Sequence, residues 1–378
     1  MNDKTSKPVL PDLVHAPSAP TSPIESPIQR IVEAALTAPS GDNCQPWRFH
    51  WDGTELKITL DEIRAKHDLN RANHASLLSL GCVLESISIA ASHEKWHAAF
   101  RLNEDLIKNP GASVSFNPAE IAPDDLLPAL SLRATDRRKY KKGFIQTRFT
   151  EKILNEAAGF ESCRLYFQNS YSKEFLEYVI SAEGFVWEHQ EAHRDFFQWI
   201  RFSDRETEQT RDGMSWRNLG INYLQSRVMK LCRNFNIQKR LNSTVVKETK
   251  ANMIQRLRSS AGLGCITVTS MQAKDLVQAG QLWMRAWLRF NLNGYGVQPL
   301  TSGAFPIYDS KAGVFPENIL PQYKALFAEG FKLLHKTFAF TENEIPILLF
   351  RTGKSTPLPR KAQTLRLPLD QVLRYKSA

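Results

Sequence analysis

The sequence predicts an α+β fold in which two related halves meet along two long central helices. Two segments, Leu77–Ala91 and Leu276–Leu292, are rich enough in apolar residues to form buried helices. Each is followed by a strand pattern, Trp96–Leu102 in the first half and Gly294–Leu300 in the second. Because the same order of elements occurs twice, we expect an internal duplication.

The two central helices can be superposed through one glycine in each, Gly81 and Gly280, where close helix packing is expected. This register aligns apolar residues with apolar residues: Leu77 with Leu276, Leu78 with Val277, and Ala98 with Val297. Apolar helices also align by chance at this level, so the register alone supports the duplication only weakly.

Local signals predict the elements that flank these helices. Residues 1–25 are Pro-rich and have no signal-peptide core, which indicates a mobile leader. Ser26–Thr37 has helical spacing behind a capping serine, and Phe49–Leu60 alternates as a strand pair. Further along, Ile345–Phe350 predicts a short buried strand, and Arg351–Ala378 predicts a basic extended tail.

Composition excludes several classes of protein. The chain has 378 residues, of which 42% are hydrophobic and 10% aromatic, so it can bury a large core. Its five cysteines are scattered without a Cys-x-x-Cys pair, and its histidines have no partners at ligand spacing, so we expect neither disulfides nor a metal site. We see no apolar run that predicts a membrane span, and we expect a cytoplasmic protein.

The net charge of +10 points to an anionic ligand, a nucleic acid or a membrane surface. The helical segment Gln225–Ser260 holds nine Lys or Arg against Glu248 alone, a net of +8 in 36 residues. We therefore place a basic helical insertion at about residues 211–260. A solvated face is the leading interpretation. Contact with nucleic acid or an anionic membrane is the weaker one, because no DNA-binding motif accompanies the charge.

One candidate site string is Ala38–Phe49. Pro39 ends a helix, and Ser40 and Asn43 lie in a turn whose short side chains and backbone amides can face a polar ligand. On composition alone, an ordinary helix-to-strand loop is the alternative.

A second candidate string begins at Arg133. Arg133, Thr135 and Arg137 alternate on an extended segment, so their side chains project together as a fork for a phosphate. A solvated basic turn is the alternative.

In this order, the two strings resemble the nitroreductase family of flavoproteins. The family string PSxxNxQPW lies over the flavin, and it is matched here by Pro39, Ser40, Asn43, Gln45, Pro46 and Trp47. The family string RxSxR holds the FMN phosphate, and it is matched by Arg133, Thr135 and Arg137, with Thr in place of Ser.

Two further strings extend the resemblance into the C-terminal part. The family string K-x-R-x-P-L returns to the phosphate; Arg366 matches its arginine, but Thr364 replaces its lysine, which removes one cation. The family strand that passes the isoalloxazine has its counterpart at Gly296–Gly303. The resemblance therefore adds four cofactor-binding residues there: Pro299, Leu300, Thr301 and Ser302.

Each site string occurs once in this chain, whereas ordinary family members are homodimers with two sites that both subunits build. The resemblance thus implies a fused pseudo-dimer with a single FMN, as in the tandem, Acg-like subgroup. It implies a first repeat at residues 26–130 and a second at 131–378. We expect a functional monomer and leave further dimerisation open.

The resemblance implies an FMN-dependent NAD(P)H oxidoreductase that passes hydride to a nitro, quinone or similar acceptor. Its partners would be NAD(P)H and that small molecule, with no nucleic acid, and no side chain is assigned a catalytic role because the flavin carries the chemistry. Arg201 and Arg205 are candidates for a cation beside the reduced flavin, against the alternative of a solvated face. The second hypothesis is FMN storage without nitroreductase activity, beneath a lid formed by the insertion.

Overall fold

The computed structural model describes residues 26–141, 143–315 and 319–376, so the predicted leader at residues 1–25 lies outside the described residues. The first half contains α1 (Pro27–Leu36), β1 (Trp47–Trp51), β2 (Glu55–Leu60), α2 (Glu62–Ala65), α3 (His74–His93), β3 (Trp96–Leu102), β4 (Gly111–Pro118) and α4 (Leu127–Leu132). The second half begins with α5 (Thr147–Ala157), β5 (Cys163–Gln168), α6 (Lys173–Glu183), α7 (Phe185–Glu188), α8 (Gln190–Gln198), β6 (Ile200–Arg201), α9 (Asp204–Thr210), β7 (Met214–Ser215), α10 (Tyr223–Leu231) and α11 (Phe235–Arg258). It continues with β8 (Gly262–Val268), α12 (Ala273–Leu292), β9 (Tyr295–Pro299), α13 (Phe305–Lys311), α14 (Pro321–Phe338), β10 (Ile345–Lys354), α15 (Leu369–Val372) and β11 (Leu373–Tyr375).

The two main sheets share one topology. The first has the strand order β11-β1-β2-β4-β3, and the second has the order β5-β8-β10-β9. Without β11, the four strands of each half follow each other in the same spatial order, and all these pairs are antiparallel. The predicted α+β class with two related halves is confirmed.

The central helices keep the register predicted from their glycines. α3 and α12 are each 20 residues long. Superposing Gly81 on Gly280 places both ends of α3 on both ends of α12, and the first residue of β3 on the first residue of β9. A match that continues from the helix into the following strand strengthens the case for a duplication.

The two helices touch through their backbones. An ideal Cβ on Gly81 would lie 1.9 Å from the carbonyl oxygen of Val277, and one on Gly280 would lie 2.0 Å from the carbonyl oxygen of Leu78. The thiol of Cys82 donates a hydrogen bond to the Gly280 carbonyl at 3.2 Å. Only glycine permits this approach, and one hydrophobic core runs through both halves around it.

Local hydrogen bonds explain the two predicted elements at the start of the fold. Ser26 caps α1: its hydroxyl accepts from the backbone N–H of Gln29, whose side chain accepts from the backbone N–H of Ser26 at 2.7 Å. Between β1 and β2, Asp52 accepts from the backbone N–H groups of Thr54 and Glu55 at 3.0 and 2.9 Å. These bonds lower the pKa of Asp52 to about 2.

The insertion is larger than the predicted range of 211–260. A tight turn joins β1 to β2, but their counterparts β5 and β8 are separated by residues 169–261, which contain α6 to α11 and the small β6-β7 sheet. A second connection, α13 with α14, joins β9 to β10. The excess of Lys and Arg indicated only the basic part of the insertion. The composition of α6 to α8 does not distinguish them from the rest of the chain.

The predicted extended tail is also corrected. Arg351, its first residue, is fully buried within β10, which continues to Lys354. The chain then returns to the first half, where β11 pairs in parallel with β1 and places Leu373 opposite Phe49. The second half therefore supplies an edge strand to the first sheet.

One stretch, Arg71–His93, has the length and mean hydropathy of a membrane span, although no span was expected. It contains α3, and 89% of its most apolar window is buried inside the protein. The core helix of a globular fold has the same composition, and α3 occupies that position here.

The Gly81 contact gives a stability prediction. We expect Gly81→Ala to lower the free energy of unfolding by about 3 kcal/mol or to prevent folding, because the new methyl group would overlap the Val277 carbonyl. Denaturant unfolding measures the change. Gly159→Ala is the matched control, since its Cβ would lie 3.4 Å from the nearest atom. Equal stability of the two variants would contradict the close approach of the helices.

Candidate functional site

A cavity of about 610 Å³ lies where the two halves, the insertion and the C-terminal segment meet. Its volume is within the usual range for small-molecule sites. Ten of the twelve predicted site residues line it: Pro39, Ser40, Asn43, Arg133, Thr135, Arg137, Pro299, Thr301, Ser302 and Arg366. Strings that are far apart in the sequence are thus brought to one place.

Two predicted site residues do not line the cavity. Gln45 instead joins three segments: its side chain donates to the Arg211 carbonyl at 2.9 Å and accepts from the backbone N–H of Leu367 at 2.7 Å. Leu300 is buried in the second hydrophobic core, and its N–H donates to the Leu349 carbonyl at 2.7 Å. Between Pro299 and Thr301, which line the cavity, the alternation of extended chain turns Leu300 the other way.

The Ser40 loop is held in an uncommon backbone conformation. Asp42, Asn43 and Gln45 all have positive φ, at 47°, 59° and 50°. The Asn43 side chain donates to the Gly213 carbonyl at 2.9 Å and accepts from Arg366 at 2.9 Å. Protein groups thus engage both polar atoms of this side chain, and its amide oxygen positions Arg366.

Two guanidinium groups converge at the cationic part of the cavity. Arg133 Nε donates to the Thr37 carbonyl at 2.7 Å, and Arg366 Nη2 donates to the same oxygen at 3.3 Å. Arg133 also lies over the Trp287 ring at 4.6 Å. Neither arginine forms an ion pair with a carboxylate of residues 26–141, 143–315 or 319–376.

Burial in this pair lowers the pKa of both arginines. Burial, with the nearby Arg366 charge, lowers the pKa of Arg133 to about 9, and burial lowers the pKa of Arg366 to about 10. Two desolvated like charges repel each other, so an anion bound beside both would relieve their repulsion. This part of the cavity is suited to an anionic group.

Arg137, the third member of the predicted fork, lines the same cavity but has hydrogen-bond partners of its own. Its guanidinium donates to the Asn218 carbonyl at 3.2 Å and to Met214 Sδ at 3.4 Å. Its charged neighbours include Asp42 and Glu183. The insertion, whose fold the sequence did not reveal, provides both hydrogen-bond partners, Asn218 and Met214.

Glu183 and Arg256 are among the cavity residues that the sequence analysis does not predict. Burial raises the pKa of Glu183, although Arg137 and Arg256 oppose this and Ser302 hydrogen-bonds to the carboxylate. Arg256 was counted as part of the basic insertion, but burial lowers its pKa to about 10 and it donates to the Leu219 carbonyl at 2.8 Å. Helical spacing could have indicated Arg256, because it follows Asn252 by four residues and therefore lies on the same face of α11.

The insertion also gives the cavity an apolar wall. Aromatic side chains from α7, α8 and the segment after them meet aliphatic side chains from α10: Phe185, Trp187, Phe196, Trp199, Leu224, Val228 and Met229. The cavity thus combines a cationic part with an aromatic part.

Arg201, a candidate for a cation beside a ligand, is already neutralised. It contacts Asp212 at 2.6 Å, and Asp212 also accepts from Arg64 of α2 at 2.5 Å. This pair of ion pairs fastens the insertion to the first half of the chain. Burial opposes the charge on Asp212, but hydrogen bonds from Arg201 and Arg64 outweigh it and lower its pKa.

A pH-dependent stability follows. Because the folded-state pKa of Asp212 lies below its unfolded value of about 4, its contribution is full above that pH and is lost as the pH falls through the folded pKa. We expect Asp212→Asn to cost about 3 kcal/mol at neutral pH, since the buried Arg201 and the half-buried Arg64 lose their partner. Its loss of stability below pH about 4 should then be smaller than that of the parent chain. Thermal unfolding against pH tests this, with the exposed Asp370→Asn as control; parallel curves for parent and Asp212→Asn would contradict it.

Comparisons with known proteins place the chain in context. No family model matches it. It is 24% identical over 298 residues to the uncharacterized protein MT1398 of Mycobacterium tuberculosis, an alignment that covers 75% of this chain and 40% of the relative. Two relatives are named as NAD(P)H nitroreductases. PigM of a Serratia species is 24% identical over 48% of this chain, and acg of Mycobacterium tuberculosis is 30% identical over 29% of it.

The alignments to PigM and acg span 54% and 34% of those relatives' own lengths. Solved structures give distant matches. A nitroreductase with bound FMN from Desulfitobacterium hafniense covers 65% of this chain and 99% of its own at 13% identity, with a TM-score of 0.33. The FMN-dependent nitroreductase NfnB from Mycobacterium smegmatis in complex with NADPH covers 67% and 100% at 12% identity, with a TM-score of 0.38. The chain is therefore similar in sequence to proteins that are named as NAD(P)H nitroreductases.

Proposed function

We propose that this chain binds one FMN and acts as an NAD(P)H-dependent oxidoreductase of the tandem, Acg-like type. The observation that carries the proposal is the pair of desolvated arginines, Arg133 and Arg366, which share the Thr37 carbonyl and line a cavity without a carboxylate partner among the described residues. An FMN phosphate is a dianion of the kind that such a pair binds by charge-assisted hydrogen bonds.

The rest of the cavity suits the remainder of FMN. Its volume of about 610 Å³ accommodates a drug-sized ligand, and Trp283, Trp287 and Pro299 give it apolar surface. The indole N–H of Trp287 is buried without a hydrogen-bond partner among the described residues. Ser40 and Thr135 add hydroxyl groups. Bound FMN would supply the two-electron chemistry, accepting hydride from a nicotinamide and delivering it to an acceptor.

The chain's own residues would bind FMN, orient it and exclude water from the site. Arg133 and Arg366 would hold the phosphate, and Pro299, Thr301 and Ser302 would form the wall beside the ring. Glu183 hydrogen-bonds to Ser302 and keeps its proton to a higher pH than an exposed glutamate, because burial raises its pKa. The aromatic side chains of the insertion would exclude water from the acceptor. NAD(P)H and a nitro, quinone or similar small molecule would be the partners.

Both halves of the site lie within one chain, which supports a functional monomer with one cofactor. The first half supplies the Ser40 loop and α3, and the second supplies Arg133, the end of β9 and Arg366. A cytoplasmic location is proposed on the five free cysteines, all of which are buried.

FMN storage is the second candidate, and the cover over the cavity favours it. Side chains of α10 and α11, among them Gln225, Val228, Asn252 and Met253, line the cavity on the side of the insertion. A cover that stays closed would retain FMN and keep a nicotinamide out.

The phosphate assignment predicts weaker FMN retention in two variants. Arg133→Gln and Arg366→Gln should each raise the dissociation constant about 10- to 100-fold, because each removes a charged hydrogen-bond donor from the phosphate. Fluorescence titration of the apoprotein with FMN measures this. Arg101→Gln is the control, since that side chain is exposed and pairs with Glu55. Unchanged affinity in both variants would contradict the assignment.

Reduction separates the two functions. We expect the absorbance of bound FMN near its visible maximum to bleach on anaerobic addition of NADPH or NADH, followed by recovery when a nitroaromatic or a quinone is added. Bound FMN that neither nicotinamide reduces would exclude the oxidoreductase and support storage. Fast turnover of the acceptor would exclude storage.

A further inference from the structure

The outer face of the basic insertion is amphipathic. α10 turns Gln225, Ser226 and Met229 inward, while Tyr223 and Leu231 are 66% and 59% exposed. The start of α11 continues the pattern. Among the side chains of the two helices that the structure describes, the exposed large apolar ones are Tyr223, Leu224, Val228, Leu231, Ile237 and Leu241. We call the surface formed by these apolar residues and the exposed basic residues of the same segment the basic lid face.

The same two helices and the turn between them also carry exposed basic side chains: Arg227, Lys230, Arg233, Lys239, Arg240, Lys247 and Lys250. None of them forms an ion pair with any residue that the structure describes. Glu248 is the one carboxylate in the sequence between Tyr223 and Lys250, and it also lines the cavity. The face is therefore strongly cationic and also exposes large apolar side chains.

We propose that the basic lid face docks on an anionic phospholipid surface. Basic side chains on an amphipathic helix are attracted to anionic headgroups, and exposed Tyr and Leu side chains between them can enter the boundary between headgroups and acyl chains. The charge is complementary to such a surface, and docking removes from water the apolar side chains that the fold leaves exposed.

The exposed apolar residues favour a membrane over a nucleic acid as the anionic partner. Nucleic-acid binding needs phosphate contacts and gains little from exposed leucines and isoleucines at the centre of the contact. A second copy of this chain is disfavoured as well, since a two-fold contact through this face would bring the same positive charges together.

The position of the face relates docking to the cavity. Leu224 and Val228 belong to both: they are 73% and 42% exposed, and they line the cavity. The cavity wall formed by α10 is therefore continuous with the surface that would meet the lipid. The proposal itself rests on exposure and charge and does not require bound FMN.

Vesicle co-sedimentation of the full chain tests the proposal. We expect binding to phosphatidylcholine vesicles that contain about one-third phosphatidylserine, weaker binding to pure phosphatidylcholine, and loss of binding when salt rises from about 0.1 to about 0.5 M. Arg227→Gln/Lys230→Gln/Arg233→Gln should weaken binding on the order of 100-fold. Tyr223→Ser/Leu231→Ser should weaken it about tenfold, because the inserted apolar area is lost.

A matched triple variant controls for total charge. Lys324→Gln/Lys332→Gln/Lys336→Gln removes the same charge from the exposed face of α14 and should leave vesicle binding within about twofold of the parent. Circular dichroism checks that every variant folds. Equal losses in both triple variants, or no binding to anionic vesicles at low salt, would overturn the proposal. Duplex DNA binding that persists in Tyr223→Ser/Leu231→Ser, alongside unchanged vesicle binding, would assign the face to nucleic acid instead.

Discussion

The backbone contact between Gly81 and Gly280 is the constraint on which the rest of the structure depends. It sets the distance between α3 and α12, and both helices contribute walls to the cavity, Ser79 and Cys82 from one and Trp283 and Trp287 from the other. The Cys82 thiol bonds to the Gly280 carbonyl within this contact. A wider separation would change the core that both halves share and the width of the site at the same time.

The two halves share the central helix and the order of their four strands, but they differ in the segments that connect those strands. The first half keeps short connections between its strands and supplies the Ser40 loop. The second half carries long segments between β5 and β8 and between β9 and β10. These segments pack a second core of their own, which includes Phe175 and Phe327. The cavity is therefore asymmetric, with a loop on one side and a helical cover on the other.

Sequence patterns predicted the helices and strands that depend on local periodicity. They did not predict the contacts between segments that are far apart in the sequence. α1, β3 and the central helices follow from spacing and capping residues that lie within each segment. The pairing of β11 with β1 could not be predicted, because nothing near Leu373 specifies Phe49 as its partner. For the site, ten of the twelve residues predicted from the strings line the cavity. The strings did not reveal that the Asn43 side chain hydrogen-bonds to Gly213 and Arg366, or that Arg137 hydrogen-bonds to Asn218 and Met214.

The return of the chain from β10 to the first sheet has a consequence for biosynthesis. Arg366 lies on this returning segment and is the last of the cavity-lining residues to be synthesised. Its Nε donates to the Leu36 carbonyl at 2.6 Å, so its position depends on a helix that is synthesised 330 residues earlier. Both halves can collapse onto their central helices beforehand, since domains fold as their residues emerge. The cationic part of the cavity is then completed after the walls that surround it.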